Sequence, residues 1–248
     1  YANNIGITMI STPFDESAVD LLESLSCPFY KVASFELTDL PLIKYIAQTK
    51  KPIILSTGMA NEKEIKEAID TIIQYGSGDF ILLHCVSGYP TPVEEINLDT
   101  ITLLKKKFKC EIGLSDHTLG NTSAILSIAL GAKVIEKHFT FDRSEGGPDA
   151  EFSMEPHELK DLSENISLAH KAIGVGSFEM KSAEESNIKF RRSIYVVNDI
   201  KKGDIFTKEN IRRIRPGYGL EPKDYEKIIG LKAKRDLEEG NPLTKKDF

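Results

Sequence analysis

A barrel of parallel strands wrapped by helices, followed by a small separate domain, is the fold class this 248-residue sequence predicts. Three observations predict it. Through residue 175, short β-branched runs alternate with amphipathic segments in units of about 20 to 30 residues, which calls for parallel strands joined by helical crossovers. The strand candidates are mostly continuous apolar runs, as strands buried on both faces are. Polar residues close every one of them, whereas an open doubly wound sheet gathers its site at a single switch point. Six units are visible where such a barrel needs eight, so the expected object is a (β/α)8 barrel lacking its first two βα units, with the chain opening on the tail of a helix.

The strand candidates are residues 6–13, 29–34, 52–57, 80–86, 111–116 and 134–140. Their ends carry Ser11-Thr12, Lys31 with Ser34, Ser56-Thr57, Ser87, Ser115 with His117, and Lys137-His138. Helical spacing appears in Ala18, Val19, Leu22 and Leu25, in Ile65, Ala68, Ile69, Ile72 and Ile73, and in Ile101, Leu104 and Phe108. Asp15, Asn61 and Asp99 stand where N-caps belong. A last helix runs from Pro156 to about Gly174 and closes the series.

Beyond residue 190 the pattern changes. Asp199-Ile-Lys-Lys-Gly-Asp-Ile-Phe-Thr-Lys-Glu-Asn-Ile211 recurs 37 residues later as Asp236-Leu-Glu-Glu-Gly-Asn-Pro-Leu-Thr-Lys-Lys-Asp-Phe248. Two copies are too few for a solenoid and predict a compact domain with internal pseudo-two-fold symmetry. Between them Arg215-Pro-Gly-Tyr-Gly219 forces a turn with an arginine at its edge. The expected division is a barrel domain over 1–175, a polar linker over 176–190, long enough to reach a neighbouring subunit, and the small domain over 191–248.

Composition narrows the function. A formal net charge of -6 argues against nucleic acid and anionic membranes as partners. Cys27, Cys85 and Cys110 are odd in number and widely spaced, as thiols in a reducing cytoplasm are. No apolar run reaches the length of a membrane span, and the first residues lack the pattern of a signal peptide, so a cytoplasmic protein is expected.

The chemistry concentrates in Gly113-Leu-Ser-Asp-His117 and Val134-Ile-Glu-Lys-His-Phe139, each of which places one histidine where an apolar run ends. Adjacent strand ends bring His117 and His138 toward a common metal, leaving positions for water and substrate. Asp116 and Glu136 are the neighbouring acids able to orient the rings. Taken singly, each histidine also reads as a hydrogen-bonded loop or core residue. Lys31, Ser34, Ser56, Ser87 and Ser115 supply a cation and hydroxyl donors for one phosphate or carboxylate at the barrel mouth. Each serine alone also reads as a strand-end cap. Glu36 reads as an acid or base, or as a solvated loop carboxylate, and Gly146-Gly-Pro-Asp149 as a tight turn aiming an acid at the histidines.

These motifs resemble the nonulosonic acid synthases, the family that includes the sialic acid synthases. The resemblance spans the chain and rests on Ser11-Thr-Pro-Phe14, Tyr30-Lys-Val-Ala-Ser-Phe-Glu36, Leu55-Ser-Thr-Gly-Met59, His84-Cys-Val-Ser-Gly-Tyr-Pro-Thr-Pro92, Gly113-Leu-Ser-Asp-His117, Glu136-Lys-His-Phe-Thr140, Gly147-Pro-Asp149 and Arg215-Pro-Gly217. Phe35-Glu-Leu-Thr-Asp39, Gly146-Gly-Pro-Asp-Ala-Glu-Phe-Ser-Met-Glu-Pro156 and Arg215-Pro-Gly-Tyr-Gly219 look most like its pseudaminic acid branch, and the tail looks like its antifreeze-like (SAF, β-clip-like) domain.

The resemblance implies a barrel that condenses phosphoenolpyruvate with an open-chain N-acylated amino sugar, for this branch 2,4-diacetamido-2,4,6-trideoxy-L-altrose; sialic or legionaminic acid synthesis is the alternative. It implies a divalent metal, manganese or magnesium, on His117 and His138. Lys31, Ser34, Ser56 and Ser115 would surround phosphoenolpyruvate, with Ser87 where sialic acid synthases carry asparagine. Tyr89 and Asp149 would hold the sugar, and Arg215 would reach its acyl group from the partner subunit of a domain-swapped homodimer. In the family a glutamate and a lysine on the first two strands complete the site; neither strand is expected in this chain, so little activity is expected of it alone. The readings outside the enzyme class are a sugar- or anion-binding module and an ice-binding tail. The charge density after residue 198 argues against the second.

Overall fold

The structure, a computed structural model, describes residues 1–248. The chain divides into two compact units, Tyr1–Val175 and Gly176–Phe248.

The first unit contains β1 (Tyr30–Val32), β2 (Ile53–Ser56), β3 (Phe80–Cys85), β4 (Glu111–Asp116) and β5 (Ala132–Lys137). All pair in parallel, in the order β1-β2-β3-β4-β5. Strictly sequential order with no reversal is the topology of a barrel wall; a doubly wound sheet turns back at its switch point. The helices are α1 (Glu16–Ser24), α2 (Leu40–Gln48), α3 (Glu62–Tyr75), α4 (Asp99–Phe108), α5 (Thr122–Ala129) and α6 (Pro156–Ile173).

Side chains of the sheet's edge strands show that it curls. Lys31 on β1 lies 3.6 Å from Glu136 on β5. Four inter-strand steps in a flat sheet would separate those strands by about 19 Å, beyond the combined reach of the two side chains. The pair meets because the sheet bends around its concave face. Its outer face packs Leu42, Ile43 and Ile46 of α2, Ile65, Ile69 and Ile72 of α3, and Ile101 and Leu104 of α4 into one core with Val32, Ile53, Leu55, Leu82 and Ile112.

Local chemistry explains most boundaries. The Asp15 carboxylate accepts from the Ala18 amide to start α1, and Asn61 and Glu64 form a reciprocal capping box on α3. Asp99 is the first helical residue of α4 rather than its N-cap, a position held by Leu98; its charge still favours the positive end of the helix. Two helices lay outside the sequence reading. Asp39 caps α2 through the Leu42 amide with Pro41 in its first turn, and α5 buries Ser123, Ala124 and Ser127 while Leu126 stands more than half exposed, so its large apolar residues do not mark the inner face.

One strand candidate does not form. Residues 6–13 form no regular element and belong to neither sheet, and Ile7 and Met9 are more than half exposed. Apolar content alone does not make a strand; the ladder needs a hydrogen-bonded neighbour, and β1 pairs only with β2.

The β4–β5 ladder contains a register shift. Ile112 pairs with Ala132 and Leu114 with Ile135, so β5 carries one extra residue opposite Gly113. The shift brings Ser115 level with Glu136 and Asp116 level with Lys137. Gly113 accommodates it: a Cβ there would lie 2.4 Å from the Val134 carbonyl oxygen and 2.4 Å from Leu83 Cδ2.

The second unit contains α7 (Ser182–Glu185), an antiparallel ribbon of β6 (Ser193–Val196) and β7 (Ile211–Ile214), and α8 (Tyr225–Ile228). Ile194, Val196, Ile200, Phe206, Ile211, Ile228, Leu237 and Leu243 form its own core. The repeat folds into reciprocal contacts. Asp199 accepts from the Glu239 amide while Asp236, its equivalent, accepts from the Lys202 amide. Ile200 and Leu237 exchange both backbone hydrogen bonds, so the pseudo-dyad passes between them. Asn210 accepts from Thr207 and its counterpart Asp247 from Thr244.

Two outcomes follow. Gly113→Ala forces its new methyl against backbone and costs about 1 to 3 kcal/mol, read as a lowered urea midpoint at unchanged slope. Burial alone would raise the Asp247 carboxyl, but hydrogen bonds from Thr244 and Arg235 outweigh it and hold the group below the usual range. Its contribution is therefore complete above the unfolded value, about 3.9, and lost as pH falls through the lower folded one. Asp247→Asn flattens that acid limb of the stability profile and leaves the neutral region without pH dependence from this group.

Candidate functional site

Because all five strands run the same way, their C-terminal ends share one rim. On β4 and β5 the period of two sends Ser115 and Glu136 to the concave face, Asp116 and Lys137 to the opposite one, and returns inward just past each strand. His117 and His138 occupy those returning positions.

The two imidazoles meet. Their ring centroids are 5.2 Å apart, with Tyr89 4.4 Å from His117 and Phe152 4.9 Å from His138. His117 Nδ1 lies 2.9 Å from the Val86 carbonyl oxygen, and His138 Nδ1 lies 3.3 Å from Asp149 Oδ2. Burial is the largest influence on His117 and opposes its protonation, but contacts with Cys85 and the Val86 carbonyl outweigh it and raise its pKa. His138 is lowered by burial first and by the neighbouring His117 second.

The acids expected to orient these rings do other work. Asp116 is engaged by Lys137 and Thr118, and Glu136 by Ser115 and Lys31. Alternation explains this for Asp116, which adjoins His117 and points away from it, whereas Glu136 shares the face of His138 but is taken up by Ser115 and Lys31, so the orienting oxygens come from other segments.

An anion-accepting face adjoins the histidines. Lys31 Nζ bonds the Val32 carbonyl at 3.1 Å and faces Glu136, whose other oxygen accepts from Ser115 Oγ at 2.6 Å. Burial, the largest influence, lowers the Lys31 pKa, and Glu136 is the strongest of the groups opposing that fall. Ser34 Oγ accepts from the Gly58 amide at 3.1 Å and lies 3.4 Å from Cys85 Sγ; Ser87 Oγ is 3.9 Å from the same sulfur. A Cβ on Gly58 would meet Ser87 Oγ at 2.2 Å and Ser34 Oγ at 2.7 Å, so glycine is what lets the two hydroxyls converge. Ser56 Oγ and Glu36 Oε2 are buried polar atoms without a partner among the described residues, as groups that await a ligand are.

Arg215 belongs to the second unit and follows β7, in an exposed Arg215–Pro216 cis turn. Cys85 was not singled out as a site residue by the sequence reading, and Glu136 was read there only as an acid to orient a ring. The signal was the period of two: Glu136 shares a face with His138, and Cys85 with Ser87.

The donor set of His117 and His138 fits a divalent transition metal. Each Nδ1 faces an oxygen, which leaves Nε2 as the nitrogen available to a metal. A second group, Glu155, His157 and Glu158, places ligand atoms within 4.8 Å of one another. Its carboxylates already pair with Arg143 and cap α6, so the metal expectation stays with the histidines.

Comparison with known proteins gives two family matches: the NeuB family over residues 1–178 and the SAF domain over residues 191–248. A pseudaminic acid synthase of Campylobacter jejuni is 41% identical over 247 residues, covering 100% of this chain and 72% of its own. The N,N'-diacetyllegionaminic acid synthase of the same species is 43% identical, covering 96% and 72%. The crystal structure of an N-acetylneuraminic acid synthetase from Leptospira borgpetersenii superposes with a TM-score of 0.72 at 36% identity, over 77% of this chain and 66% of that one.

The electrostatics of this face give a direct test. In Glu136→Gln the strongest support for the Lys31 charge is gone, so the lysine titrates still further below an ordinary lysine. A side-chain NMR titration of Lys31 reads the change; an unaltered or raised value contradicts the assignment.

Proposed function

The chain belongs to the NeuB family and carries a SAF domain, and from that premise we propose that it makes pseudaminic acid. It is an enzyme of the phosphoenolpyruvate-dependent nonulosonic acid synthase type. The reaction proposed joins phosphoenolpyruvate to 2,4-diacetamido-2,4,6-trideoxy-L-altrose and releases phosphate. The supporting observation is the meeting of His117 and His138 at 5.2 Å beside Lys31, in a chain matched along its whole length by 72% of a pseudaminic acid synthase.

C3 of the enol attacks C1 of the open-chain aldehyde, whose oxygen takes up a proton and becomes a hydroxyl. Water adds at the electron-poor C2 and gives up a proton. The resulting tetrahedral carbon expels phosphate by cleavage of its C–O bond, leaving the 2-keto acid. A divalent metal, manganese or magnesium, held by His117 and His138 supplies Lewis-acid polarisation of the sugar's carbonyl oxygen when bound.

The remaining roles fall to the chain. Lys31, Ser34, Ser56, Ser87 and Ser115 hold the phosphate and carboxylate of phosphoenolpyruvate, and the Lys31 ammonium stabilises charge as the phosphate departs. Ser56, without an internal partner, has its hydroxyl free for this contact. Glu36, with one buried oxygen unpartnered, is the acid or base that handles the proton of the added water. Tyr89 and Asp149 orient the sugar, and Asp149 also steers the His138 ring. Arg215 of a second subunit reaches the sugar's acyl group in a domain-swapped homodimer, with the barrel domain over 1–175, the linker over 176–190 and the SAF domain over 191–248. Holding two weakly reactive partners together supplies much of the rate. Among the described residues no helix is long and apolar enough to cross a membrane.

Synthesis of N,N'-diacetyllegionaminic acid is the second reading, favoured by the 43% identity to that synthase. The two separate when the chain, extended with the two N-terminal βα units of a full barrel, receives phosphoenolpyruvate, manganese and each candidate sugar in turn. Phosphate release with the altrose derivative alone is expected, lost with a chelator and restored by manganese. Phosphoenolpyruvate labelled with oxygen-18 at the bridging position should pass the label to phosphate. Release with neither sugar rejects the proposal.

A further inference from the structure

Between the two inward pairs, Ser115 with Glu136 and His117 with His138, lies one outward pair that the reaction does not use. Lys137 Nζ donates to Asp116 Oδ2 at 2.8 Å, to the Thr118 carbonyl at 2.9 Å and to the Gly120 carbonyl at 3.0 Å. All three ammonium protons thus have acceptors. Asp116 Oδ1 in turn accepts from the Thr118 amide at 2.9 Å and from the Thr118 hydroxyl at 2.8 Å. The side chains are 5% and 0% exposed.

We propose that the Asp116–Lys137 ion pair is a positioning device that holds the imidazoles of His117 and His138 level with each other. Each member of the pair is bonded in sequence to one of the histidines. Asp116 with Lys137 is also the last register pair of the β4–β5 ladder, so beyond it no strand hydrogen bond ties the histidines together. Other anchors hold each histidine to a different segment: His117 through its carbonyl to the Thr91 amide and through Nδ1 to Val86, His138 through its carbonyl to the Met154 amide and through Nδ1 to Asp149. Two side-chain pairs bond one histidine-bearing strand end directly to the other, Ser115 with Glu136 and Asp116 with Lys137, and of these Asp116 with Lys137 is the one next to both histidines.

Energetics point the same way. Taking two charges out of water is costly, and an apolar pair of similar shape commonly serves stability as well or better. What the apolar pair lacks is direction: three directed donors and a fixed carboxylate define a position in a way that methylene contacts do not. Lys137 also binds the turn over Thr118 and Gly120, so the segment leaving His117 toward α5 is fixed by the same ammonium. An error of a few tenths of an ångström here is transmitted to both rings, whereas on a solvated face it would relax.

The inference rests on the metal reading given above, so its test carries a readout that needs no metal. Asp116→Asn with Lys137→Met removes both charges while leaving an oxygen for Thr118 and an unbranched side chain that matches lysine's stem without the ammonium. In the parent full chain, histidine-labelled samples should show a nuclear Overhauser contact between the His117 and His138 rings; in the double variant it should weaken or vanish. The manganese dissociation constant by calorimetry should rise at least about tenfold, the size of effect seen when groups behind metal ligands are removed, without a matching fall in thermal midpoint. Asp116→Asn alone keeps its one oxygen for Thr118 and sets an amide nitrogen against the Lys137 ammonium, so it should show a change of the same sign. It decides the matter if the double variant does not fold. An unchanged ring contact in a folded variant overturns the proposal. A parent chain that binds no manganese but loses the ring contact in the variant upholds the positioning role and overturns the metal assignment instead.

Discussion

The concave face exists because five parallel strands curl until Lys31 on the first reaches Glu136 on the last. Everything the site offers depends on that curvature. It turns side chains that would be spread over about 19 Å of flat sheet into one cluster. It also places a lysine and a glutamate where each offsets part of the other's desolvation. Burial lowers Lys31, and the carboxylate that opposes this comes from the opposite edge of the sheet. The site's electrostatics are therefore a consequence of sheet geometry, and no single strand contains them.

Register contributes the second constraint. The extra residue in β5 opposite Gly113 decides which residues of β4 and β5 stand side by side. A period of two means that a shift of one residue exchanges the inward and outward sets. With the observed shift, serine faces glutamate, aspartate faces lysine, and the residues immediately after them are both histidine. The close approach at Gly113 is the steric condition for this arrangement. The orienting oxygens then come from the β3 and β5 loops, at Val86 and Asp149, so that one loop holds each ring in place.

The second unit solves a different problem, stability in a short chain. Its duplicated segment lets each half satisfy backbone amides of the other, through Asp199 and Asp236 and through the paired Ile200 and Leu237. The symmetry is imperfect where Asp247 replaces the position of Asn210. There Arg235 supplies the counter-charge that a buried carboxylate requires.

Much of this was legible in the sequence, and the limits have physical causes. Periodicity and caps placed α1, α3 and α6, and the repeat announced the pseudo-dyad, because these are local features that the chain writes into adjacent residues. The two histidines could be paired because strand-end positions repeat from unit to unit. α2 and α5 were not seen, since α2 is apolar at most of its nine positions and α5 turns its serines inward, so that in neither do apolar residues trace one face. Residues 6–13 read as a strand because apolar content is local while hydrogen-bond partners are not. By itself the sequence determined which residues are available to the site and on which face of each strand they stand. Only the tertiary structure decided which of them touch, such as Lys31 with Glu136, His117 with Val86 and His138 with Asp149. Those contacts depend on sheet curvature and inter-strand register, which arise from hydrogen bonds between segments far apart in the chain.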